Sequence, residues 1–476
     1  MINLFIHNPE LKRNAWLELK PNRLITMPVL LVLMYVITFS LSSGTSSFDP
    51  IRVVSLIAFH ILITIWGSKQ TADAVATEIN EKTWDRQRMT GLDPWKMVIG
   101  KLFGPTLFQW YGALIVMFFY FVSCIGSSSP AKDVYIGIIT ISTGLFVNAF
   151  ALLISLLNIT GNSFSSFSNT KINTTLFFVI SLVVAYQLNM VLLIPGFTLS
   201  SFIKWYGLEW GKIFSFLSVA IFIGWAIMGI YRNLRTELQY KNKSTVWNWF
   251  LLFIIIFSFG FSINTNNNDL NLPVNIELTT SWSIFLKMNV VAYALISVLS
   301  FLILFERKSL FEYNTFVIDL KAFNFKKLSY SAPLWFITSV TAIVILLILS
   351  ITSFLLPLNG NGNNGRQFFS IIDKILDNKP TVLFFVYAGT ILLLVRDILL
   401  TRYLIYCSSF KNKTLTIIMY FVIVYIALPT LFKVNGLNLF FPIPNNDSII
   451  VPFISLILQA SGAAYFYKVN FDKLKQ

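Results

Sequence analysis

Residues 334–356 read LWFITSVTAIVILLILSITSFLL, a run without one Asp, Glu, Lys or Arg. A helix rises about 1.5 Å per residue, so roughly 20 such residues cross a ~30 Å hydrocarbon core. In lipid the backbone must satisfy its own hydrogen bonds, so an apolar run of this length becomes a helix. A membrane β-barrel would instead show segments of ~10 residues with alternating polarity. Comparable runs lie on either side, at 24–43, 51–68, 103–125, 134–159, 174–195, 212–230, 247–263, 283–305, 381–400, 414–432 and 448–467. The expectation is an all-α polytopic transmembrane bundle of about twelve spans.

Composition agrees. Of 476 residues, 56% are hydrophobic and only 12% charged, with a mean hydropathy of +0.71. A soluble domain carries about a quarter charged residues, so this chain lacks the polar surface to cover a water-soluble body. The net charge of +15 would suit a phosphate-binding partner if it were clustered. It is scattered over short loops instead, and no nucleic-acid partner is expected.

That scatter sets orientation. With the N-terminus inside, 27 of the 36 Lys and Arg residues fall in cytoplasmic segments, as the positive-inside rule requires. Both termini are then cytoplasmic. Cys124 falls near the outer end of a span and Cys407 in a cytoplasmic loop, so no disulfide is expected between them. No cleavable signal peptide is evident before the first span.

Residues 1–23 are expected to form an interfacial helix on the inner leaflet. Asn8 and Pro9 supply an N-cap and first-turn pair. Leu11, Ala15 and Leu19 share a face, and Trp16 suits the headgroup level. Two six-span units follow, 24–230 and 231–476, built on one plan: a basic lead-in, two spans, a long cytoplasmic loop and four more spans. Residue-level similarity between them is slight.

The loop 69–101 has internal order. Residues 69–88 contain no Gly or Pro and predict one helix, on which Glu78 and Lys82 stand at favourable i, i+4 spacing. Thr90, Gly91 and Leu92 break it, and Asp93–Pro94 start a second helix that runs into the third span. Helix, sharp turn and helix are thereby joined to spans at both ends, a shape suited to passing a cytoplasmic push into the bilayer.

The stretch EINEKTWDRQRMTGLDPWKMVIGKLFG, residues 78–104, resembles the cytoplasmic motif of ABC-2-type transporter permeases. The matching positions are Glu78 or Glu81, Thr83, Leu92, Pro94, Trp95, Gly100 and Lys101, with Gly91 setting the turn. The opening NPELKR, residues 8–13, is also similar to that family's start. The likeness covers the first ~130 residues; the remainder matches in hydropathy alone. Two departures stand out: Lys82 precedes the Thr, and Trp84 to Arg88 replace an apolar stretch.

The resemblance implies a permease subunit of an ATP-driven exporter in a bacterial inner membrane, whose hairpin 78–101 docks on a separate ATPase. It implies two copies of a nucleotide-binding domain as partners alongside membrane lipids, and allows a second permease copy. The chain itself is expected to be no enzyme and to hold no cofactor, ATP being bound by the partner. No G-x-x-x-x-G-K-[ST] phosphate loop occurs in it; Gly360, Gly362 and Gly365 lack the following Lys.

Three other classes stay open. An ion-coupled carrier needs ionisable groups within the membrane, and His60 is the obvious one. A membrane-embedded enzyme needs acids or histidines gathered at one face. Only His7 and His60 are present, and the outer acids Asp49, Asp133, Glu209, Asp269, Glu277, Asp373, Asp377 and Asp447 are dispersed. The third is a membrane scaffold without transport of its own. Residues 306–333 form a second long basic loop without the Thr to Gly-Lys series. Arg396, Asp397 and Arg402 are expected to anchor the tenth span at the lipid boundary.

Overall fold

The computed structural model describes residues 8–41, 48–81, 83–89, 91–127, 129–162, 211–238, 240, 242, 245–261, 280–305, 310–323, 327–328, 331–355, 380–406, 413–427 and 450–475. The expected fifth span, the glycines at 360–365 and Cys407 lie outside these residues. Among the described residues the regular elements are all helices, with no strand. Seven helices among them are long and apolar enough to cross a membrane. Every expected span except 174–195 carries a helix over its described part. The chain divides into two compact units, the first ending at Asn242 and the second holding Lys243–Gln476.

The first unit begins with α1 (Pro9–Glu18) and α2 (Pro21–Leu41). Next comes one continuous rod: α3 (Phe48–Phe59), a π-helical segment (His60–Gly67) and α4 (Ser68–Asn80). The short α5 (Trp84–Met89), α6 (Pro94–Phe103) and α7 (Leu107–Cys124) follow. Two long helices, α8 (Pro130–Asn162) and α9 (Gly211–Glu237), complete the unit.

The apolar stretch Asp49–Ile79 of the rod has 31 residues, about 45 Å at helical rise and well beyond a ~30 Å core. Its excess is α4, which stays helical past the apolar run because α8 continues alongside it. The Ser155 hydroxyl donates to the Ala72 carbonyl at 2.6 Å between them.

Side-chain hydroxyls bond the backbone where the π segment passes into α4. The Ser68 hydroxyl donates to the Thr64 carbonyl, and that of Thr71 to Gly67 and Ser68. Such bonds compete with the helical ladder and bend it. His60 shares a 3.1 Å bond with Thr64 one turn on, a partner within its own helix.

Two apolar cores stack along this unit. One joins α2, the rod and α7 through Met27, Leu31, Phe59, Ile63, Val116 and Tyr120. The other joins α4, α5, α6, α8 and α9 through Val75, Trp84, Met97, Leu102, Leu152 and Ile230. At the far end, Arg52 pairs with Asp49 and Asp133, and the Tyr120 hydroxyl donates to the Asp133 carbonyl at 2.7 Å. Two acids separated in the sequence thus meet on one arginine. Cys124 is a free, buried thiol.

The second unit contains α10 (Thr245–Phe261), α11 (Thr280–Phe305), α12 (Leu310–Lys321) and α13 (Leu334–Leu355). It continues with α14 (Pro380–Tyr406), α15 (Lys413–Val422) with a π-helical end (Ile423–Ala427), and α16 (Ile450–Lys475). Its core joins α11, α13 and α14 through Leu299, Leu302, Leu346, Leu349 and Leu394. The second long loop carries α12, whose Phe316 packs on Phe336 at 5.0 Å.

Candidate functional site: the 78–101 hairpin and its clamp

Three helices meet where α1, α4 and α6 converge. Asn8 caps α1, its Oδ1 accepting from the amides of Glu10 and Leu11. Its Nδ2 reaches across to donate to the Lys96 carbonyl at 2.6 Å. The expected N-cap is therefore present and also ties α1 to α6. Pro9 and Pro94 each open a helix, as expected of a residue without an N–H. Asp93 precedes Pro94 but makes no side-chain capping bond.

Lys101 is the centre of the cluster. It is 1% exposed, and an ammonium this buried is tolerated only when its protons are all taken. Here they are. The Nζ donates to Glu10 Oε1 at 3.2 Å, to Gln87 Oε1 at 2.7 Å and to the Glu78 carboxylate. Trp84 covers it, with the ring centroid 5.3 Å away, a distance at which the ring's negative face attracts a cation. Arg13 bridges the two acids at 2.9 and 2.8 Å, and the Gln87 amide donates to Glu78 at 3.0 Å. Two carboxylates and two cations balance in one group, with Lys101 enclosed and Arg13 at its exposed edge.

Gly100 allows this approach. A Cβ there would lie 2.5 Å from Glu10 Cγ and 2.7 Å from Glu10 Cβ, so any side chain would push α1 away. The Gly-Lys pair thus has one structural logic: the glycine admits α1 and the lysine holds its acid.

The hairpin departs from the expected single helix over 69–88. α4 ends at Asn80, and Thr83 turns back so that its amide and hydroxyl both donate to the Glu78 carbonyl at 2.9 and 3.2 Å. This break re-aims α5, so that Trp84 and Gln87 reach Lys101. An unbroken helix would direct them elsewhere, and the buried ammonium outweighs the local helical preference. The carboxylate of Glu78 is engaged by Lys101 and Arg13; Lys82, its expected partner, lies outside the described residues.

The remaining positions divide cleanly. Gly91 adopts φ +64°, the left-handed turn expected of it. Trp95 stacks on Tyr231 of α9, with centroids 4.3 Å apart and planes 17° from parallel. Leu92 and Pro94 are half-buried, whereas Glu81, Arg86, Met89 and Asp93 face outward. Met89 is 86% exposed. Reading the sequence missed Asn8, Glu10, Arg13, Trp84 and Gln87 as members of this group, although NPELKR contains three of them.

A second polar group is buried in the other unit. Asp397 accepts from Arg396 Nε at 2.9 Å, from the Tyr420 hydroxyl at 2.8 Å and from the Tyr425 hydroxyl. Arg396 also donates to Gln459 on α16 at 2.6 Å. The Arg402 guanidinium lies 4.1 Å from the Tyr313 ring centroid and 4.5 Å from that of Trp335. Arg396, Asp397 and Arg402 are 4–6% exposed. The residues expected at the boundary are thus enclosed in helix packing, held by the tyrosines on α15 and its π-helical end and by the glutamine on α16. Among the described residues, no His, Cys, Asp and Glu group could hold a metal ion. No family model, curated protein or solved structure matches the chain.

Proposed function

We propose that the chain is the membrane-spanning subunit of an ATP-driven exporter, working with a separate ATPase that docks on the hairpin 78–101. In this reading it spans a bacterial inner membrane about twelve times with both termini cytoplasmic. Two nucleotide-binding domains close on ATP, the hairpin moves as a rigid body, and the spans attached to it reorient.

The observation that carries the reading is the division of labour within the hairpin. Glu78, Trp95, Gly100 and Lys101 are turned inward and bind it to α1 and α9. Glu81, Arg86, Met89 and Asp93 remain outward at the turn. A stiff base with an unengaged tip is what a lever needs. A photo-crosslinking residue at Met89 should capture a P-loop ATPase, and Glu81→Lys or Pro94→Leu should abolish stimulation of its hydrolysis without loss of membrane insertion. Failure to capture such an ATPase, with normal activity in both variants, would refute this function.

One observation favours the ion-coupled carrier as the runner-up: Asp397 is an acid buried within a helix of membrane-spanning length. Its carboxylate is taken by Arg396 and two tyrosines, a static arrangement better suited to holding helices together than to passing protons.

A further inference from the structure

The clamp on Lys101 has a consequence for the opposite face of α1. Because Asn8 and Glu10 are buried against α6, Lys12 and Trp16, one turn apart, face outward, and Lys20 follows just beyond the helix end. Trp16 is 81% exposed. The acids of α1 are spoken for: Glu10 is held by Lys101 and Arg13, and Glu18 pairs with Arg23 at 2.7 Å. Among the described residues, no carboxylate pairs with Lys12 or Lys20. The outward face is therefore a tryptophan flanked by two uncompensated ammonium groups.

Its position is fixed by covalent reach. Only Leu19 and Lys20 separate α1 from α2, a link that spans about 10 Å at most. α2 is apolar beyond Arg23, and just 17% of its most apolar window is buried within the protein. α1 must then lie at the lipid–water boundary, where an indole ring is most favourably placed and cations meet headgroup phosphates.

We infer that this face binds anionic phospholipid headgroups, with Lys12 and Lys20 on the phosphates and Trp16 between them. The inference rests on α1 and α2 alone and is independent of any ATPase. Each lysine near an anionic surface contributes about fivefold in binding, so the two together give about 25-fold.

The purified full chain in nanodiscs of equal parts phosphatidylcholine and phosphatidylglycerol provides the test. Photoactivatable analogues of each lipid are cross-linked, and adducts on residues 9–20 are counted by peptide mass spectrometry. The wild type should favour the phosphatidylglycerol adduct about 25-fold. Lys12→Gln with Lys20→Gln should bring the ratio near one, and Lys12→Arg with Lys20→Arg should preserve it. Equal labelling of the wild type by both lipids, or an equal fall on Arg86→Gln at the hairpin, would overturn the assignment.

Discussion

The Lys101 ammonium lies 3.2 Å from the Glu10 carboxylate across 91 positions of sequence, with both side chains almost fully enclosed. Removing one member of a buried ion pair leaves an uncompensated charge and costs about 3–5 kcal/mol. Lys101→Met should lower stability by that order, because Glu10 and Glu78 then share Arg13 as their one cation. Glu10→Gln should cost less, since Lys101 keeps Glu78. The double variant should show a coupling of about 1 kcal/mol or more, read from thermal unfolding in detergent. Strict additivity would mean that the two residues do not hold α1 to α6.

Gly100→Ala and Gly91→Ala separate two reasons for a glycine. At Gly100 the new methyl strikes Glu10, and overpacking of this kind costs about 1–3 kcal/mol. Amide hydrogen exchange over residues 9–18 should rise as α1 loosens. At Gly91 a Cβ meets nothing within 4 Å, but φ is +64°. The cost there is conformational, about 1–2 kcal/mol, and exchange in α1 should stay as in the wild type.

Local signals were legible in the sequence, and long-range ones were not. The apolar runs could be read because lipid imposes a length on each helix. The Asn8–Pro9 start and the Gly91 turn were readable because each depends on a few adjacent residues. The inward face of α1 was not: Leu11, Ala15 and Leu19 form its apolar stripe but are half-buried, while Asn8 and Glu10 are fully buried. Hydrophobic periodicity ranks Glu10 as solvent-facing, and only the distant Lys101 reverses that. The break after Asn80 has the same origin, since a helix-favouring stretch gives way to a contact made elsewhere. Likewise Asp49 and Asp133 looked dispersed until Arg52 joined them. The π segments have no periodic signature.

Surface positions on the hairpin tip should behave differently from its base. Met89 and Glu81 are exposed, and substitutions at such sites usually change stability by less than ~0.5 kcal/mol. Met89→Asp and Glu81→Lys should therefore leave the unfolding midpoint unchanged while weakening capture of the proposed ATPase. A large fall in the midpoint would place these residues within the folded core and remove them as docking positions.

The buried group around Asp397 yields a test of non-additivity. Asp397→Ala strands the Arg396 guanidinium within the packing of α14, α15 and α16, at a cost of about 3–5 kcal/mol. Tyr420→Phe removes one hydroxyl donor to the charged carboxylate and should cost about 1.5–3 kcal/mol. Replacing both charges, Arg396→Met with Asp397→Leu, removes the desolvation penalty along with the attraction. That double variant should be more stable than Asp397→Ala alone, measured by thermal unfolding of the purified chain. The reverse order would mean that Gln459 and the Tyr425 ring compensate the Arg396 guanidinium without Asp397. A double variant less stable than the wild type would mean that the pair contributes more attraction than its burial costs.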